Sequence, residues 1–203
     1  DSDVIKHLLA AAKIGKQVAV VLELKAKFDE EANIRWASRM ERAGIHVTYG
    51  VVGLKTHCKV ILVVRQDYDG LRRYAHLGTG NYHHKTARAY TDYGLLTANE
   101  EIGLDVHEIF LQLTSLTRTP NLRQLLQSPF TMHERLLQMI GEQGERAASG
   151  GNGRIVARMN ALTEPQVIEA LYEASRTGAQ IDLVVRGPCA LRPGVAGASE
   201  NIR

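Results

Sequence analysis

A histidine and a lysine two residues apart stand where an apolar run begins: His57-Cys58-Lys59 leads into Val60–Val64. On a strand, side chains two apart share a face, so the spacing predicts that His57, Lys59, Ile61 and Val63 point one way. An imidazole beside an ammonium can carry out phosphoryl chemistry, with the ring nitrogen as nucleophile and the cation neutralising phosphate oxygens. A surface histidine next to a solvated lysine fits the same tripeptide. The segment that follows narrows the choice. Tyr74–Leu77 reads as a strand ending in the turn Gly78-Thr79-Gly80-Asn81. Glycines there let backbone N–H groups approach an anion, and Asn81 can hydrogen-bond an imidazole or a phosphate.

Other polar residues carry less. His76 is read as inward-facing by alternation with Tyr74, either beside a site or as a satisfied core histidine. Cys58 faces away from His57 and is read as core. His83 and His84 are adjacent, so they are expected to point apart, and no cysteine or carboxylate cluster accompanies them as a metal site requires. Tyr90 can stack on a base or fill a core. Arg88 can touch phosphate, but a solvated arginine is the simpler reading. His7, His46, His107 and His133 fall in no pattern.

These residues need elements to hold them. Val4, Ile5, Leu8, Leu9 and Ala12 recur at helical spacing, Gly15 closes that helix, and Gln17–Leu24 reads as a buried strand. Asp29, Glu30 and Glu31 open a second helix, with acidic residues at the positive end of its dipole. Trp36, Met40 and Ala43 stripe it, and Gly44 ends it. Ile45–Tyr49 is a short strand, and Val60–Val64 joins Arg72–Leu77 through a hairpin turn at Gln66–Gly70. Helices are expected around Glu100–Thr114 and Met132–Gly141. Gly144–Arg154 reads as a flexible loop by composition. Thr163 with Gln166 forms a capping-box pattern before a helix over Glu164–Arg176. Alternating helices and strands predict an α/β fold.

Shifted by 163 residues, the first helix–strand unit falls on the last. Val4, Leu8, Ala11, Gly15 and Gln17 land on Val167, Leu171, Ala174, Gly178 and Gln180. Generic βαβ grammar makes some such likeness common, but one offset without a gap favours a duplicated half. By that offset Glu23 and Arg186 are equivalent, and both are expected to end strands at a shared cleft. The first half runs on far beyond its strand and the second stops soon after, so the chain is expected to be a fragment cut at both ends.

Composition excludes several classes. The 203 residues carry 25 Lys+Arg against 22 Asp+Glu, a net +3 too small to argue for nucleic acid. With 44% hydrophobic and 23% charged residues and five prolines, the chain is neither disordered nor low-complexity. The longest apolar runs fall far short of a membrane helix, and the acidic start is not expected to be a signal peptide. Two cysteines, Cys58 and Cys189, exclude a disulfide scaffold and a four-cysteine zinc site, and suit a reducing compartment.

His57-x-Lys59 with the downstream Gly-Thr-Gly-Asn81 turn resembles one half of a phospholipase D superfamily site. It departs from that pattern at Val64, where an aspartate is usual. The stretches Glu23–Asn33, Gly53–Lys59, Arg73–Asn81 and Lys85–Tyr93, with Ser128-Pro129, Arg135–Leu137, Leu183–Gly187 and Asn201–Arg203, resemble bacterial histidine-phosphorylating polyphosphate kinases. The resemblance runs essentially end to end. It implies an α/β fold with a phospholipase D-like mixed sheet flanked by helices. Residues 1–127 would be a first catalytic domain lacking its start, and 128–203 the truncated start of a pseudo-symmetric second. It also implies reversible transfer of the terminal phosphate of ATP to inorganic polyphosphate, with His57 as phosphohistidine. Lys59 and Asn81 would assist catalysis, Tyr90 and Arg186 would contact the nucleotide, and Lys27 would stand at the Mg²⁺-linked phosphate site. Lys27 replaces a usual arginine, keeping charge but losing the bidentate fork. A companion arginine would precede Asp1 and a second active-site histidine would follow Arg203, so the fragment alone is expected to be inactive. ATP, ADP and polyphosphate are the implied partners, in a homo-oligomer without a transmembrane segment. The implied location is the bacterial cytoplasm, with membrane association compatible. A phospholipase D-like phosphodiesterase and a non-catalytic polyanion-binding module are the competing readings.

Overall fold

The computed structural model describes residues 3–23, 30–51, 53–115 and 122–203, excepting the side chains of Glu30 and Ala32. The chain divides into two compact units, Asp1–Leu125 and Leu126–Arg203. Parallel and antiparallel strand pairs both occur, with helices against them, so the fold is α/β.

In the first unit, α1 (Asp3–Lys13) and α2 (Glu30–Arg42) pack with a parallel pair, β1 (Ala19–Val21) and β2 (His46–Thr48). Leu9, Met40 and Ile45 are the buried centre, with Ile5, Leu8, Val20, Trp36 and Val47 around them. These are the apolar stripes read from the sequence. The first strand is shorter than expected, and Leu24 lies outside the described residues. A second sheet is antiparallel, in the order β3 (Lys59–Asp67), β4 (Gly70–Gly78), β5 (Gly94–Thr97). Its hairpin is tighter than expected: Asp67 pairs with Gly70, leaving only Tyr68 and Asp69 in the turn. The sequence reading did not find β5, whose four residues are too few to show a period. Between β4 and β5 lies the short α3 (His84–Ala89).

Alternation gives the antiparallel sheet two different faces. Ala75 faces α4 (Glu100–Ser115), where Val106 is fully buried and Gly103 leaves room for the Arg73 side chain. The opposite face carries Lys59, Ile61, Val63, Tyr74, His76 and Leu96. The same helix supplies a clamp. Buried Asp105 accepts the backbone N–H groups of Arg123, Gln124 and Leu125 at 2.7–3.0 Å.

The second unit contains α5 (Met132–Ala148), β6 (Arg154–Met159), α6 (Pro165–Arg176) and β7 (Gln180–Val185). Ile140, Leu162, Leu171, Ala174, Ile181 and Ile202 are buried together. Two expectations are corrected here. Residues 144–148 continue α5 and Arg154 begins β6; Gly144 packs closely against α6, where an added Cβ would stand 3.2 Å from the Ala174 Cα. Glu164, not Thr163, caps α6, its carboxylate accepting the Val167 N–H at 2.7 Å.

The repeat holds at the level of elements. Its paired glycines, Gly15 and Gly178, both have positive φ, 85° and 100°. Each ends its helix with a backbone bond spanning five residues, Lys16 N–H to Ala11 and Ala179 N–H to Ala174, both 3.0 Å. Strand β7 is covered along both edges. One edge of β7 pairs with β6, and the other is bonded by Asn201 and Arg203. No helix among the described residues is long and apolar enough to cross a membrane.

Candidate active site

The site begins where β3, β4 and β5 end together. Lys59 lies opposite Gly78, and Gly78 opposite Gly94, in one row across the three strands. His57 precedes β3 and is exposed. The Lys59 ammonium donates to the His57 carbonyl, folding the lysine back over the segment that bears the histidine. Because residues 55–58 lie outside the strand, alternation does not reach them. Cys58 is accordingly exposed rather than in the core.

Charge tunes the pair. The Lys59 ammonium, then partial desolvation, then Lys55, hold the His57 imidazole below its ordinary value. That favours the neutral ring, the form with a free lone pair. Desolvation likewise lowers Lys59, opposed in part by the Cys58 and Asp92 charges.

The glycine turn is built around a carboxylate. A Cβ on Gly80 would overlap the Asp92 side chain. Thr79 donates through its hydroxyl to Asp92 at 3.0 Å, while its backbone N–H bonds the Tyr93 carbonyl at 3.0 Å. Sequence reasoning assigned Asp92 nothing. The signal was present: two glycines in a turn vacate volume, and the nearby acidic residue fills it. A second omission is Thr56, adjacent to His57, whose N–H is held by the Glu23 carboxylate at 3.0 Å. Glu23 therefore ties the end of β1 to the His57 segment.

The remaining expected residues are distributed as follows. Asn81 is exposed, its carbonyl accepting the His83 N–H at 2.7 Å, and its side chain bonds no described residue. Tyr90 is exposed at the end of α3, its N–H bonded to Thr86 at 3.0 Å. Arg186 belongs to the second unit, follows β7, and donates to Asn160 at 2.6 Å. Lys27 lies outside the described residues. His83 and His84 do not point apart: their ring centroids are 5.1 Å apart. His83 Nδ1 accepts the Thr86 N–H, so this ring caps α3. Among the described residues no group of three or more His, Cys, Asp or Glu could hold a metal.

The site thus offers an imidazole whose neutral form is favoured, flanking cations and a glycine turn. Comparison with known proteins places the chain in a family. Residues 1–119 match the family model described as polyphosphate kinase C-terminal domain 1, and residues 125–203 match C-terminal domain 2. A polyphosphate kinase of Xylella fastidiosa is 58% identical over 203 residues, covering 100% of this chain and 29% of that protein. One from Burkholderia ambifaria is 56% identical over 206 residues, covering 100% and 30%. The crystal structure of polyphosphate kinase from Porphyromonas gingivalis superposes with a TM-score of 0.86 at 40% identity, covering 100% of this chain and 34% of that one. The chain therefore spans about a third or less of the relatives it matches. Matched over most of its length by the two domain models and over all of it by these relatives, the chain belongs to the polyphosphate kinase family.

Proposed function

We propose that this chain is catalytic region of a polyphosphate kinase that reversibly transfers the terminal phosphoryl group of ATP to inorganic polyphosphate through His57. The observation that carries the reading is the Lys59 ammonium folded back onto the His57 carbonyl, a placement that lowers the His57 imidazole value and favours its neutral form. In the first step an imidazole nitrogen bonds to the γ-phosphorus as the P–O bond to the leaving ADP breaks. In the second, a terminal oxygen of polyphosphate takes the phosphoryl group and the N–P bond breaks. Charge on the transferring group is spread over its equatorial oxygens, where Lys59 stabilises it. Asn81 contributes a hydrogen bond from the glycine turn, and Tyr90 and Arg186 contact the nucleotide. Glu23 and Asp92 hold the His57 segment and the turn in place.

Mg²⁺ is proposed to arrive with the nucleotide's phosphates. The described residues present no ligand cluster for it, and a protonated Lys27 would donate rather than coordinate, so no step is drawn through the metal. Family membership and the His57-x-Lys59 motif support a phospholipase D-like duplicated fold, with 1–127 and 128–203 as consecutive catalytic domains. A cytoplasmic homo-oligomer completes the proposal.

The test uses full-length protein containing this chain and ATP labelled at the γ-phosphate. Acid-labile label is expected on His57, and His57→Ala is expected to abolish both the label and polyphosphate synthesis. Diester hydrolysis without ATP would instead favour a phosphodiesterase. Polyphosphate binding without any label would favour a non-catalytic module.

A further inference from the structure

The open face of the antiparallel sheet holds an apolar groove of about 570 Å³, lined by Ile61, Val63, Tyr74, His76, Tyr82 and Leu96 among others. His76 is the one imidazole in that lining. Its ring lies over the point where Gly78 and Gly94 face each other. A Cβ on Gly94 would stand 2.7 Å from His76 Nε2, and one on Gly78 would stand 3.1 Å from Cε1. Both glycines thus form a seat for this ring, in the row that Lys59 shares.

One bond fixes the ring in that seat. His76 Nδ1 is 2.7 Å from the Tyr82 hydroxyl, with the two rings tilted at 54°. Burial pushes the Tyr82 phenol up to about 12, so it carries its proton across the physiological range. Among the described residues that hydroxyl has no other hydrogen-bond partner, and His76 Nε2 has none at all. An uncharged imidazole carries a single N–H, and the partner of one nitrogen decides which nitrogen holds it.

We propose that Tyr82 is a positioning residue: its hydroxyl donates to His76 Nδ1, places the ring hydrogen on Nε2, and aims that N–H from the glycine seat beside Lys59 at a phosphate oxygen of the substrate. The inference rests on the phosphoryl-transfer reading of the site. Ile61 and Leu96, the cross-strand neighbours of His76, offer the ring no alternative hydrogen-bond partner. Without Tyr82 the ring would populate both tautomers and rotate about its terminal torsion, which has broad wells. The row would keep its cation and lose its neutral donor.

The experiment compares Tyr82→Phe with wild type in the full-length protein, alone and in a His76→Gln background. Polyphosphate synthesis from ATP is measured alongside ¹⁵N spectra of histidine-labelled protein, with the His76 signals assigned by their loss in His76→Gln. Wild type is expected to show the Nε2–H tautomer. Tyr82→Phe should give mixed tautomers and lower kcat about tenfold, with KM for ATP changed by less than about twofold. The glutamine amide can supply an N–H without the tyrosine, so Tyr82→Phe should cost nothing further in that background. An equal kcat loss in both backgrounds, an unchanged kcat, or a tautomer indifferent to Tyr82→Phe would overturn the proposal. If wild type itself makes no polyphosphate, the function reading fails, while the spectra still decide whether Tyr82 sets the His76 tautomer.

Discussion

At the scale of single residues, two ammonium groups beside one imidazole set its protonation. Because Lys59, partial desolvation and Lys55 lower the His57 value, the neutral ring persists to lower pH than an ordinary histidine would allow. Activity should therefore fall on the acid side below about 6.5, the unperturbed histidine value. Lys59→Gln removes the charge with the larger effect on His57 and should move that acid limb upward, as well as lowering turnover at least about tenfold. A pH–rate profile of the two proteins checks the direction, and an unmoved limb would detach Lys59 from His57. Gly80 offers a steric test. Alanine there meets the Asp92 carboxylate, so the turn or the aspartate must shift, at a cost of about 1–3 kcal/mol. Gly80→Ala should lower both the melting temperature and turnover. Gly141, whose Cβ would meet nothing, provides the control: Gly141→Ala should leave turnover unchanged.

At the scale of elements, α4 does two jobs through opposite features. Gly103 and Val106 bring it close against the sheet, while buried Asp105 collects three backbone N–H groups. Burial alone would raise the Asp105 value, but bonds from Arg123, Gln124 and Leu125 outweigh it and hold the carboxyl below its ordinary range. A depressed carboxylate contributes stability that is present above its unfolded value and lost as pH falls through its folded one. Asp105→Asn retains the shape but loses the charge. It should destabilise the first unit by about 1–3 kcal/mol at neutral pH, and by progressively less in acid. Urea titrations at neutral and acidic pH measure the difference. A constant deficit would mean that the charge contributes nothing.

At the scale of the whole chain, each unit has its own buried cluster, Leu9, Met40 and Ile45 in one and Ile181, Leu171 and Ile202 in the other. Damage to one core should consequently be felt mainly in its own unit. Ile181 is 1% exposed, so Ile181→Ala should cost the second unit about 2–5 kcal/mol in lost burial and cavity formation. Hydrogen exchange should rise across β6, α6 and β7 while β3 and β4 stay protected. Equal loss of protection in both would show one cooperative core instead of two.

The sequence alone determined what depends on neighbours along the chain. Apolar spacing located α1 and α2, a capping pattern located α6, glycines marked helix ends, and the constant offset exposed the repeat. It also singled out His57 and Lys59 as candidates, because a histidine and a lysine two residues apart are visible without the fold. Tertiary structure decided what depends on residues meeting across strands. β5 is too short to have a readable period and exists because β4 offers it an edge. Gly144 looked like loop composition, yet it is the contact that lets α5 run on against α6. Asp92 entered the site only when Gly80 vacated the space for it. Tyr82 met His76 only after the chain turned back over the sheet, since a hydrogen bond depends on where two atoms lie in space and not on how far apart they stand in the chain.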